Sequence, residues 1–270
     1  VVAVEDTCTL AFYDEFKHQL AAHSVAPATP RLHGDLVSIR AVKDAEEIDL
    51  MRQAQKITDD AFTHICGYIK PGMTEQEIRA ELENYMLSNG ASALSFGSII
   101  ASGPNGANPH AQPGPRPVQE GDMIVMDYGC CVADYHSDMT RTVCLGEPSE
   151  EQRHVYDVVR RAHEECAAMA HAGVIGKDVY DHSVKVISDA GYGDYYKHGL
   201  GHGVGVEIHE QPNFNRRNLD PIPAGAVITI EPGIYLPGKF GIRLEDFGVV
   251  TEDGYEPFTE STHDLVVIPC

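Results

Sequence analysis

Two long stretches of the chain, residues 44–69 and 149–172, repeat apolar side chains at intervals of three and four. Met51, Ala54, Phe62 and Ile65 mark the first and Val155, Val158, Cys166 and Met169 the second. That spacing gives each stretch one apolar helical face. The two sets superimpose when the sequence is slid against itself by 104 positions, which also aligns Glu46 with Glu150, Glu47 with Glu151, Gly72 with Gly176, Gly121 with Gly225, Ile124 with Ile228 and Gly129 with Gly233. Each copy reads as a long helix, a turn at Gly72 or Gly176, a second helix and a strand region. In the first copy the period changes to two, so that Val125 and Asp127 share one face and Ile124 and Met126 the other; Thr229 and Glu231 repeat that register. The pattern predicts an α+β fold with a pseudo-twofold internal repeat.

The front of the chain stands apart from the repeat. VVAVED reads as a strand, CTLAFYDEFKHQL as a helix and the following residues as another short strand. Such a group cannot cover its own sheet edges and faces, so residues 1–38 are expected to be the C-terminal remnant of an N-terminal α/β domain, with residues 39–270 as the main domain.

With 20 Lys and Arg against 41 Asp and Glu, the net charge of −21 repels nucleic acid and anionic membranes and favours a small or peptidic partner. No apolar run reaches the roughly 20 residues of a membrane span. The seven cysteines, Cys8, Cys66, Cys130, Cys131, Cys144, Cys166 and Cys270, are odd in number and include no pair spaced for a zinc site, which fits small buried side chains and a reducing cytoplasm.

The charge pattern also concentrates candidate chemistry. Asp127 and Glu231 coincide under the offset, and each is followed by another acid on a returning strand, Asp138 in YHSDMTRT and Glu245 in GIRLEDFG. Each pair is expected to come from two strands of one hairpin, the second through a longer turn at Pro237 and Gly238. Four carboxylates gathered in one core carry a charge of about −4, which requires cations or protons to neutralise it. Alternation places Thr140 and Thr142 on the face of Asp138, where hydroxyls can orient a ligating carboxylate. HGLGHGVGVEIHEQP supplies His198, His202 and His209. Its glycines oppose a helical metal motif and favour an extended strand, and no third glycine falls where a dinucleotide fingerprint needs it. His202 and His209 reach one cleft only if the chain bends between them before Pro212. His110 lies in an irregular Pro and Gly loop, and Arg243, two residues before Glu245, shares its face and can pair with a carboxylate or with substrate.

Together YHSDMTRTV, HGLGHGVGVEIHEQP, ITIEPGIY and GIRLEDFGVVTEDG resemble the pita-bread metallopeptidases, in particular the aminopeptidase P and prolidase branch, over roughly residues 40–270. The resemblance implies that Asp127, Asp138, His202, Glu231 and Glu245 hold two divalent ions. Manganese comes first among them, with cobalt, iron or zinc compatible with oxygen and imidazole ligands. It implies hydrolysis of the peptide bond before proline, as an Xaa-Pro aminopeptidase or dipeptidase, with a metal-bridging hydroxide as nucleophile and Glu231 as proton shuttle. His209 and His110 would serve the reacting carbonyl, and His198 and Arg243 the leaving proline side. The family also implies a homodimer in the full-length form and an N-terminal domain of which most would be absent here. Other readings are a methionine aminopeptidase on the same fold, a metal-free hydrolase of the creatine-cleaving kind, and a non-catalytic binding protein.

Overall fold

In a computed structural model of the chain, which describes residues 2–5, 8–25, 32 and 34–270, the chain divides into two units, Val1–Arg40 and Ala41–Cys270. In the first, helix α1 (Leu10–Ala22) opens on Thr9, whose hydroxyl accepts the Phe12 N–H at 3.2 Å. The expected opening strand is described only over residues 2–5, where the Val4 carbonyl accepts the Leu32 N–H at 3.0 Å. Residues 26–31, within the expected second short strand, lie outside the described residues, and Asp35–Ala41 forms a short helix, α2.

The second unit begins its first half with α3 (Ala45–Tyr68) and α4 (Glu75–Ser88). Each starts on a capping box: Asp44 with Glu47, and Thr74 with Glu77, satisfy one another's free N–H groups. Strands β1 (Ala93–Leu94), β2 (Ile99–Ser102), β3 (Met123–Tyr128), β4 (Cys130–Val132), β5 (Tyr135–His136) and β6 (Met139–Leu145) follow. The second half repeats the plan with α5 (Glu150–Met169), capped by Ser149 and Gln152, α6 (Gly176–Asp189), and strands β7 (Gly201–Gly203), β8 (Glu210–Phe214), β9 (Val227–Ile230), β10 (Gly233–Leu236), β11 (Phe240–Arg243), β12 (Asp246–Val250) and β13 (Tyr255–Pro257). A last strand, β14 (Val267–Ile268), returns parallel to β6.

The sheets run β14-β6-β3-β2 and β13-β12-β9-β7-β8. The alternation expected for β3 holds: Ile124 and Met126 enter the core with Ala54, Phe62 and Ile65 of α3, while Val125 packs on the other side with Ala101 and Ala111. Both acid-bearing strand pairs, β3 with β6 and β9 with β12, are antiparallel neighbours. Each connection is longer than a plain hairpin, because β4 and β5 form a ladder inside the first, and β10 and β11 inside the second with Gly238 at positive φ in its turn.

One expectation about the repeat needs correction. Gly176 is the first residue of α6 and not a turn; the second copy's positive-φ turn glycine is Gly173, because α5 ends at Met169, three residues before a constant offset requires. The second acids are not equivalent. Thr140 stands opposite Asp127, and extending the β9–β12 ladder by one residue sets Glu245 opposite Glu231. Glu245 is therefore the counterpart of Thr140, and Asp138 the counterpart of Arg243. The two counterparts Thr140 and Glu245 meet in a single β-bridge between the sheets, the Glu245 N–H donating to the Thr140 carbonyl at 3.1 Å.

Candidate metal centre

The four acids sit where strands begin or end. Asp127 lies near the end of β3, paired to Ile99 and Thr140 on either side; Asp138 immediately precedes β6, Glu231 follows β9 and Glu245 precedes β12. Glycines let backbones close around them. A Cβ on Gly201 would stand 1.9 Å from the Thr229 carbonyl oxygen, so only glycine lets β7 press against β9 and place the His202 N–H 3.0 Å from the Thr229 hydroxyl. Gly201→Ala should therefore push His202 out of place and cost about 3 kcal/mol, the upper part of the overpacking range. A thermal melt with and without added manganese checks it, since metal-induced stabilisation should fall along with the melting temperature.

His202 Nδ1–H donates to the Gly203 carbonyl at 3.0 Å, which leaves the Nε2 lone pair facing the acids. That nitrogen lies 3.6 Å from Asp138 and 3.5 Å from Glu231, too long for hydrogen bonds and suited to two ligands of one ion. Asp138, His202 and Glu245 each bring a donor atom within 4.8 Å of the others. The Thr140 hydroxyl donates to Glu245 at 2.6 Å, and the Thr229 hydroxyl to Glu231 at 3.4 Å. Thr142 turns instead to the Arg243 carbonyl.

Arg243 is buried. Its guanidinium donates to Asp127, to the Tyr235 hydroxyl at 2.7 Å and to the Thr140 hydroxyl at 3.0 Å. The other Asp127 oxygen, Oδ1, is buried with no hydrogen-bond partner. Burial lifts all four carboxyls above their usual range; the charges of Asp127 and Glu231 add to it at Asp138, and those of Asp138, Glu231 and Asp127 at Glu245. At Asp127 burial outweighs the pull of Arg243, and at Glu231 it carries the carboxyl up to about 8. Burial also lowers the His202 imidazole to about 4, keeping it in the neutral, ligating form. Four acids facing one guanidinium, with an unpartnered oxygen and a free imidazole lone pair among them, fit divalent cations.

The five candidate ligands line a cleft of about 470 Å³ together with His110, His198, His209 and Arg243. The chain bends after β7 and returns as β8, which brings the His202 and His209 rings edge to face at 4.4 Å. His110 is exposed on a loop anchored by buried Glu75, whose carboxylate accepts the Ser102 and Gly114 N–H groups at 2.7 and 2.9 Å. His198 donates through Nδ1 to the Gly199 carbonyl and accepts the Tyr235 hydroxyl at 2.9 Å through Nε2. Tyr235, which sequence reasoning passed over, thus links Arg243 to His198; its place in ITIEPGIY, four residues after Glu231, was the available signal. Asn213 and Asn215 also line the cleft and carried no such mark.

The sequence profile of Metallopeptidase family M24 matches residues 49–252. The chain belongs to that family. Among M24 relatives, an uncharacterized peptidase of Bacillus subtilis is 40% identical over 230 residues, covering 85% of this chain and 65% of its own length. The Xaa-Pro dipeptidase of Pyrococcus furiosus is 35% identical over 265 residues, 98% of this chain and 75% of the relative. The crystal structure of an X-Pro aminopeptidase from Thermotoga maritima matches with a TM-score of 0.93 at 37% identity, over 99% of this chain and 76% of that one. The M24 chain thus has the pita-bread fold expected from its motifs, and it spans about two thirds to three quarters of the length of these relatives.

Proposed function

We propose that the unit Ala41–Cys270 is the catalytic part of a dinuclear metallopeptidase that hydrolyses the peptide bond before proline. The observation that carries this reading is the convergence of Asp127, Asp138, His202, Glu231 and Glu245 on one cleft. The Xaa-Pro dipeptidase and X-Pro aminopeptidase among its relatives support the choice of bond. The same five residues would hold two divalent ions, manganese first, which when bound supply Lewis-acid activation of water and of the scissile carbonyl.

The protein's own groups do the rest. Glu231 accepts the proton of the attacking water and returns it to the leaving proline nitrogen. His110 and His209, exposed at the cleft, donate to the substrate carbonyl and to the oxyanion that develops on it. Arg243 fixes Asp127 and, through Tyr235, the ring of His198; these two groups line the side proposed for the leaving proline. An acidic cleft attracts the free amino terminus of a short peptide.

With manganese or cobalt supplied, the protein should cleave Xaa-Pro dipeptides or Xaa-Pro-Yaa peptides and leave Met-Ala peptides intact. Release of methionine from the latter with no proline-directed cleavage would sink the assignment. The ratio of the two proline substrates divides dipeptidase from aminopeptidase.

A further inference from the structure

Asp246 follows Glu245 in the chain and, by strand alternation, faces away from the cleft. It lines a separate cavity with Thr259, Glu260, His263 and Asp264. Arg141 occupies its Oδ1 at 2.7 Å. Its Oδ2 faces two imidazoles, His263 Nε2 at 2.7 Å and His163 Nε2 at 3.5 Å. The donors come from α5, β12 and the segment after β13, and they lie within 4.8 Å of one another.

The unusual feature is what these groups lack. His163 is 1% exposed, yet neither ring nitrogen has a hydrogen-bond partner, and the buried hydroxyl of Thr259 has none either. Buried polar atoms ordinarily find partners. Three of the six described side-chain atoms that do not are gathered here, and a fourth is Asp127 Oδ1 in the cleft. We propose that His163, Asp246 and His263 form a second divalent-metal site of the zinc type, distinct from the cleft.

The donor set and spacing support it. Tetrahedral zinc with bonds of about 2.0–2.1 Å separates its ligand atoms by roughly 3.3 Å, close to the His163–Asp246 distance. His263 is partly exposed and has to retreat by about 0.6 Å from its hydrogen bond to Asp246 to reach the same spacing. The fourth position opens on the cavity, where Thr259 or water can complete it. Glu260 and Asp264 also line the cavity, Asp264 paired with Arg160 at 2.9 Å. The site also bears on the cleft: Arg141 holds the Glu245 carbonyl at 2.6 Å with one nitrogen and Asp246 with another.

The test loads the cleft with manganese and then measures zinc uptake by equilibrium dialysis. Wild type should take up one zinc equivalent that His163→Gln and His263→Gln bind at least about 10–100-fold more weakly. Asp138→Asn, altered only in the cleft, should retain it. Anomalous scattering from zinc-soaked wild-type crystals, which needs no variant, should show a peak between the three side chains. Wild-type zinc affinity and stoichiometry in His263→Gln, whose partly exposed ring can be changed without opening the core, would overturn the proposal. So would anomalous density confined to the cleft.

Discussion

Replacing Glu231 by glutamine should lower turnover of an Xaa-Pro substrate by about 10²–10⁴-fold, the usual worth of a positioned general acid or base. Glutamine keeps the size of the side chain and an oxygen that can accept from Thr229. It removes the proton-accepting capacity and one ligand charge. These losses separate experimentally, because a lost charge appears as weaker metal binding, while a lost proton acceptor persists at saturating metal as a lowered kcat. Turnover near wild type under saturating manganese would remove Glu231 from the proton path.

Metal removal should make the protein's stability depend on pH in a definite direction. In the metal-free protein Glu231 titrates near 8 against an ordinary value of 4.5, and burial raises its three acidic neighbours as well. Between these two values the folded state holds a proton that the unfolded chain has released, so stability is fully present below about pH 4.5 and falls as pH rises towards 8. At 1.36 kcal/mol per unit the loss from Glu231 alone is on the order of 5 kcal/mol. Denaturant melts of chelator-treated protein at pH 5 and pH 8 should show it, and manganese should restore stability chiefly at pH 8. A metal-free protein equally stable at both would show that the acids are not forced together.

The sequence made the helices and first acids readable because their signals are local. A three-and-four spacing fixes the buried face of α3, and Asp127 and Glu231 follow the same apolar alternation in β3 and β9. Symmetry of the second acids was not readable. One more residue separates Glu231 from Glu245's place opposite it than separates Asp127 from Thr140, so a constant offset sets Glu245 against Arg141 instead of Thr140. Register, which decides which side chains meet, depends on how the β10–β11 ladder takes up that residue. Tyr235 gained its part only through contacts with Arg243 and His198, and His163 and His263, 100 positions apart, meet only once α5 and the C-terminal segment pack.

The bridge between Thr140 and Glu245 gives the cleft a particular mechanical character. Within each half, long antiparallel ladders hold an acid stiffly in line with its neighbours. Between the halves the backbone is joined here, reinforced by the side chains of Arg141, Thr142 and Arg243, and again where Val42 pairs with Ala226 and the His136 N–H donates to the Gly205 carbonyl at 3.0 Å. At the cleft itself the spacing between acids of the two halves is therefore set by the seam, where Thr140 is bonded to Glu245 through both backbone and side chain, and not by either ladder alone.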